Sequence, residues 1–264
     1  MILDLLNSQS FENIALYWYF ILFIAAIFGG LVGSLSGGAG MITMPLLLLS
    51  GINPLIALAT NKLQACIGSF TGAAHYYSQG LVDIKSSRLC IIIAMLFAST
   101  GAISVQFVKV EILSKILPFV MITIGAYFLF SRKISDTDRA KSPNKVLFHS
   151  LCALVSFYGG FLGVGIGTLT LTMLVSIGGY GLSKALAHSR SIVFSINIAS
   201  IVFFILSGNV LWLLGIVMCI GQAIGATLGA KLAIKHGAKI IKPFVICICF
   251  GISIQLIIKE FLTQ

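Results

Sequence analysis

A glycine-rich break inside an apolar run occurs twice in this chain, at matched places in its two halves. The first copy, Phe28 to Lys62, reads FGGLVGSLSGGAGMITMPLLLLSGINPLIALATNK. Gly29, Gly30, Gly33, Gly37, Gly38 and Gly40 interrupt it, and a short apolar run, a Gly-Ile-Asn-Pro break and a lysine within the next apolar run follow. The second copy, Tyr158 to Arg190, reads YGGFLGVGIGTLTLTMLVSIGGYGLSKALAHSR. Gly29, Gly30, Gly33 and Gly37 fall on Gly159, Gly160, Gly163 and Gly167. After a short gap Gly51 falls on Gly179, Ala57-Leu58-Ala59 on Ala185-Leu186-Ala187, and Lys62 on Arg190. Glycine lets the backbone leave the helix and approach a ligand closely. Helices broken by glycine at corresponding places in two halves point to the binding site of a membrane transporter.

The setting of these breaks is a membrane. The 264 residues are 58% hydrophobic and 9% charged, and the mean hydropathy is +1.08. A soluble domain carries about 25% charged residues, and one core cannot hide this much apolar surface. In a soluble protein the net charge of +10 would suggest nucleic acid; here cytoplasmic loops explain it and no nucleic-acid partner is expected. Residues 1–13 hold Asp4 and Glu12 and no basic residue, which is not a signal-peptide pattern. The six cysteines all lie in apolar runs without CxxC spacing, so they read as reduced, buried side chains, and no metal site is expected.

A span needs about 20 apolar residues. Candidates lie at 14–36, 54–80, 87–107, 111–131, 146–166, 183–207, 210–231 and 242–260. The runs 41–50 and 169–178 are too short to cross as straight helices and read as half-helices after the breaks, beginning near Gly40 and Thr168. If they only dip in and return, each half has four crossings and Lys231, Lys235, Lys239 and Lys242 face outward, against the positive-inside rule. If each completes a crossing with the unwound segment before it, each half has five and the second half is inverted.

In that arrangement Lys85, Arg88, Arg132, Lys133, Arg139, Lys141, Lys145, Lys184, Lys231, Lys235, Lys239 and Lys242 are cytoplasmic, and only Lys109, Lys115 and Lys259 lie outside. The fold expected is therefore an all-α polytopic membrane protein of two inverted repeats, residues 1–131 and 146–264, each of about five segments. A polar cytoplasmic linker, 132–145, joins them. Ser142 would be inside and Asn209 outside.

The only cations within spans are Lys62 and Arg190, and every Asp and Glu falls in a tail, a loop or a span end. A charge inside a span is expensive and marks function by default. Two matched cations without a carboxylate call for an anion; the alternative is that each snorkels to an interface. Backbone N–H groups at a half-helix start add to an anion site, though the same glycines have GxxxG packing spacing. Further polar groups share helix faces: Asn61, Gln64, Gly68, Thr71, Gly72 and His75 on one segment, His188, Ser191 and Ser195 on another, with Ser189 and Asn197 near. The candidate substrate-binding set is Gly37, Gly38, Gly40, Thr60, Asn61, Lys62, Gly167, Thr168, His188, Ser189 and Arg190. His75 and His188, the span residues that titrate near neutrality, are candidates for a proton relay.

At these residues the chain resembles the sulfite exporter TauE/SafE family of membrane permeases. The resemblance rests on Gly29 to Lys62 and, more weakly, on Gly159 to Arg190, where the short segment lacks a proline. It implies a multi-pass permease of the bacterial inner membrane for small anions, often sulfur-containing. The expectation is a secondary transporter that moves a sulfur oxyanion or organosulfonate such as sulfite by alternating access. The rivals are an anion channel and a permease for a small carboxylate. No cofactor is called for. The partners expected are a small anionic substrate and membrane lipid, and a homodimer is among the assemblies the chain allows. An enzyme is not expected: there is no buried acid pair, no HExxH and no cysteine–histidine signature.

Overall fold

The computed structural model describes residues 14–82, 84–130 and 144–236. Their regular structure is entirely α-helical: α1 Leu16–Ser36, α2 Ala39–Leu49, α3 Pro54–Ser78, α4 Ile84–Val105, α5 Val110–Phe130, α6 Lys145–Phe161, α7 Ile166–Ser176, α8 Leu182–Leu206 and α9 Trp212–His236. Four of these contain segments long and apolar enough to cross a membrane: Leu16–Leu35, Ser87–Val105, Leu182–Leu206 and Trp212–Ala233. Helix α3 is as long as α8 but less apolar, because Asn61, Lys62, Gln64, Ser69, Thr71 and His75 lie along it. The expected span 242–260 and linker residues 132–143, Ser142 included, lie outside the described residues.

Local chemistry sets the helix ends. Asn53 caps α3 by accepting from Leu55 N at 2.9 Å, with Pro54 in the first turn, where its missing N–H is no loss. Asn144 caps α6 by accepting from Leu147 N at 3.3 Å. Both short helices, α2 and α7, have 11 residues. They begin one to two residues earlier than expected, at Ala39 and Ile166, because Gly37 (φ 90°) and Gly165 (φ 69°) already hold the left-handed turns that end the breaks.

Exposed side chains are apolar where lipid would lie, as at Leu16, Phe20, Leu96, Leu154, Leu206 and Leu213, while Lys62 and Arg190 are buried. In lipid, helices associate through close packing and small residues rather than the hydrophobic effect. Gly221, Gly225 and Gly229 of α9 lie against Phe23, Ile27 and Leu31 of α1, with no room for a methyl group. These two helices therefore run parallel. Gly101 and Gly160 likewise bring α4 against α6: Gly160 meets Ala98, and Gly101 meets Phe157 and Phe161; Cys152 meets Cys90 nearer the helix starts, so these helices run parallel too. Gly30, the match of Gly160, packs on Ala226, which holds the place in α9 that Ala98 holds in α4.

The remaining crossings have readable directions too. Helices α3 and α9 run parallel, since Thr60 meets Leu211 and Gly68 meets Gln222. Helices α4 and α8 run parallel, since Ser87 meets His188 and Gln106 meets Phe203. Helices α3 and α8 run antiparallel, since Ser69 meets Asn197 and Gly72 meets Arg190. The short helices each anchor an apolar cluster. Met41, Met44 and Leu47 of α2 pack with Ala57, Leu58 and Ala59. Leu171, Leu174 and Val175 of α7 pack with Ala185, Leu186 and Ala187.

Candidate functional site

The two breaks touch. Helix α1 ends at Gly37, whose N–H donates to Gly33 O at 2.8 Å, and α2 starts after Gly38. Helix α6 ends at Phe161; Gly163 (φ 74°) and Gly165 then turn the chain into α7. A side chain at Gly37 would collide with the backbone of Gly167 and Thr168, and one at Gly167 would come within 2.5 Å of Gly37 Cα. Residues matched in the two sequence copies thus meet each other. Ser69 and Asn197, also matched, meet as well, with Asn197 Nδ2 donating to Ser69 Oγ at 3.4 Å.

Beside this contact lies a cavity of about 30 Å³, room for about two water molecules. Helix α3 lines it with Asn61, Lys62, Ala65, Gly68 and Ser69; α8 contributes Arg190, Val193 and Asn197, and α9 contributes Gln222. Gly30, Gly33, Ser34, Gly37, Ala39, Gly40, Gly163 and Ile166 complete the wall at the breaks. Among the described residues no carboxylate lines it.

Both span cations reach this cavity. Lys62 is 2% exposed, and its Nζ donates to Gly159 O in the last turn of α6. A cation at a helix C-terminus meets the negative end of the dipole and carbonyls that lack helix partners. Arg190 is 4% exposed. Its stem packs on Gly72, and its Nε and Nη2 have no hydrogen-bond partner among the described residues. A buried guanidinium with no counter-charge among the described residues is strongly unfavourable.

The neutral groups divide. Asn61 Oδ1 accepts from Thr43 Oγ1 and Gln64 Nε2, both at 2.7 Å, and its Nδ2 faces the backbone at Gly40. Gly40 and Gly37 line the cavity, and Gly38 caps α2. Gly167 and Thr168 form the opposite side of the Gly37 contact, and Gly167 is next to Arg190 Nη2. Thr60, Ser189 and His188, like Gly38, Gly167 and Thr168, are not in the lining. Thr60 Oγ1 accepts from Leu211 N at 3.2 Å, and Ser189 Oγ donates to Leu186 O at 2.8 Å. His188 Nδ1 pairs with Ser87 Oγ at 2.6 Å, with the Tyr180 ring alongside. His75 is half-buried and outside the lining.

The sequence reading missed Gln222, Ser34 and Tyr76. Gln222 was findable as the one amide within the apolar run 212–230. Tyr76 Oη donates to Ser34 O at 3.0 Å, and Ser34 Oγ donates to Ala226 O at 2.9 Å, which tie α1 to α3 and α9.

Apolar outer faces around a buried, cation-lined cavity at two helix breaks are the features of a polytopic integral membrane protein of the transporter class. The chain belongs to the sulfite exporter TauE/SafE family, whose sequence profile matches residues 22–256. It is 35% identical to the probable membrane transporter protein YfcA of Escherichia coli (strain K12) over 238 residues, 90% of this chain and 88% of that protein. It is equally similar to a probable membrane transporter protein of Haemophilus influenzae, 35% over 241 residues, 91% of this chain and 94% of that one. A third relative, the probable membrane transporter protein ORF9 of Sinorhizobium sp, is 35% identical over 247 residues, 93% and 95% of the two chains. No solved structure matches the chain.

Proposed function

We propose that this protein is a secondary transporter of a small anion, a sulfur oxyanion or organosulfonate such as sulfite, working by alternating access. The observation that carries this reading is Arg190: a buried guanidinium with two unpartnered donors at the cavity where the breaks meet. Lys62, the Asn61 amide and the backbone at Gly37–Gly40 and Gly167–Thr168 complete the candidate anion site. The family name supports the sulfur-containing class. Alternating access requires two arrangements of the halves around one site, and a cavity this small favours a closed intermediate in such a cycle.

The fold is read as two inverted repeats of five segments. The helix directions support this: parallel α1 and α9, α4 and α6, α3 and α9, α4 and α8, with α3 and α8 antiparallel. Were the short helices to dip and return, the halves would be parallel. Helices α3 and α8 would then share a direction, and α3 would oppose α9. Single cysteines at Gln79 and Ser207, on a cysteine-free background, test this. A membrane-impermeant thiol reagent applied to intact cells should label Ser207→Cys and leave Gln79→Cys unlabelled; labelling on the same side would refute the inversion.

Transport is tested in proteoliposomes. Unlabelled sulfite trapped inside should drive saturable uptake of labelled sulfite against its gradient. A channel supports no such counterflow, and carboxylates in place of sulfite distinguish the carboxylate permease.

A further inference from the structure

The cavity holds unsatisfied acceptors as well as donors. Asn197 Oδ1 and Gln222 Oε1 are buried without a hydrogen-bond partner among the described residues, and both residues line the cavity. The Asn197 amide has a defined orientation. Ser69 Oγ gives its hydrogen to Ala65 O at 2.6 Å, so toward Asn197 it can only accept. It takes the Asn197 Nδ2 hydrogen at 3.4 Å, which leaves Oδ1 unpaired. Ser34 is in the same position: its hydrogen goes to Ala226 O, leaving lone pairs at the cavity wall. Gln222 lies over Gly68, where a Cβ would stand 2.5 Å from its Cγ, so glycine at 68 is what admits the amide. Its counterpart in the first half is Ala94, so the acceptor is a feature of one half alone.

Donors and acceptors therefore gather around one small space: Arg190 Nε and Nη2 on one hand, Asn197 Oδ1 and Ser34 Oγ on the other, with the Gln222 amide beside them and its unpaired Oε1 next to Gly29. An anion made only of acceptor atoms satisfies the first group and sets its lone pairs against the second. A buried acceptor left unpaired is penalised more than a made bond is rewarded. A site built to bond a hydroxyl discriminates strongly against the analogue that lacks it.

We propose that the substrate carries an O–H group beside its negative charge: a singly protonated oxyanion, or a sulfonate bearing a hydroxyl within a few bonds. This rests on the reading of the cavity as an anion site. An ammonium donor would satisfy the same acceptors but meets Lys62 and Arg190, and the two cations select the neutral hydroxyl.

The test compares three compounds of one skeleton on the purified full-length protein by calorimetry: ethanesulfonate, 2-hydroxyethanesulfonate and 2-aminoethanesulfonate, with sulfite and sulfate alongside. The hydroxyl compound should bind at least about tenfold more tightly than ethanesulfonate, and more tightly than the amine. Gln222→Leu and Asn197→Leu, made separately, should each shrink that preference while retaining affinity for ethanesulfonate, which also reports that the variant is folded. Equal affinity of the wild type for the hydroxyl compound and ethanesulfonate overturns the inference alone, as does a preference unchanged in both variants. Binding of none of the five anions removes the anion site itself, and this inference with it.

Discussion

Arg190→Ala should abolish transport while leaving the protein inserted and folded. Its guanidinium offers two unpartnered donors in a buried cavity. Hydrogen bonds to a charged group contribute about 1.5–3 kcal/mol each, so losing both weakens anion binding roughly a hundredfold or more. Arg190→Lys keeps the charge and loses the planar fork, and should fall between the two. Lys62→Ala should reduce transport and lower stability as well, because Lys62 also serves the Gly159 carbonyl at the end of α6. Anion affinity and melting temperature, measured on each variant, separate these effects. Normal transport by both alanine variants would mean that the cations hold no substrate.

The second large effect should come from the contact between the breaks. Gly37→Ala combines two penalties: about 1–2 kcal/mol for an L-residue in the left-handed conformation, and about 1–3 kcal/mol for overpacking against the Gly167 backbone. Gly167→Ala pushes on Gly37 Cα and on Arg190 Nη2, so it should damage anion binding as well as stability. Two controls isolate these terms. Gly51 also has positive φ, 86°, but nothing stands within 4 Å of an added Cβ, so Gly51→Ala carries strain alone. Gly215→Ala presses on the end of the Leu63 side chain, at 2.6 Å, which can rotate away, and makes an ordinary contact with Thr60 Cγ2 at 3.7 Å. Melting temperatures in detergent should fall in the order Gly51→Ala and Gly215→Ala first, then Gly167→Ala and Gly37→Ala. An unaffected Gly37→Ala would show that the breaks do not need to touch.

Much of this was legible in the chain. The membrane setting follows from composition, and the repeat located both breaks because the glycine runs lead into a short apolar segment at matched places in the two halves. That Gly37 would meet Gly167 was implied by their matched positions. Side-chain direction along a helix was harder to read. The polar positions of α3 suggested a face through Asn61, Gln64, Gly68, Thr71, Gly72 and His75. The cavity is instead lined by Asn61, Lys62, Ala65, Gly68 and Ser69, a stripe rotated by about one residue.

Thr60, Ser189 and His188 fall off the lining stripes for the same reason, since each residue turns about 100° around the helix axis. On α8 the stripe is Arg190, Val193 and Asn197, and the two residues before Arg190 face α4 or their own helix backbone. Gln222 escaped notice because it belongs to neither glycine motif. It arrives from α9, whose place beside α3 depends on contacts far apart in sequence, such as Gly30 with Ala226.

One anion should sit between the two breaks, held by Arg190. Crystals of the protein grown with selenite, an analogue of sulfite with a strong anomalous signal, locate that anion without assumptions about transport. The selenium peak should lie within hydrogen-bonding distance of Arg190 Nε and Nη2, with residues of both halves around it. A peak elsewhere on the protein, with Arg190 still unliganded, would contradict it.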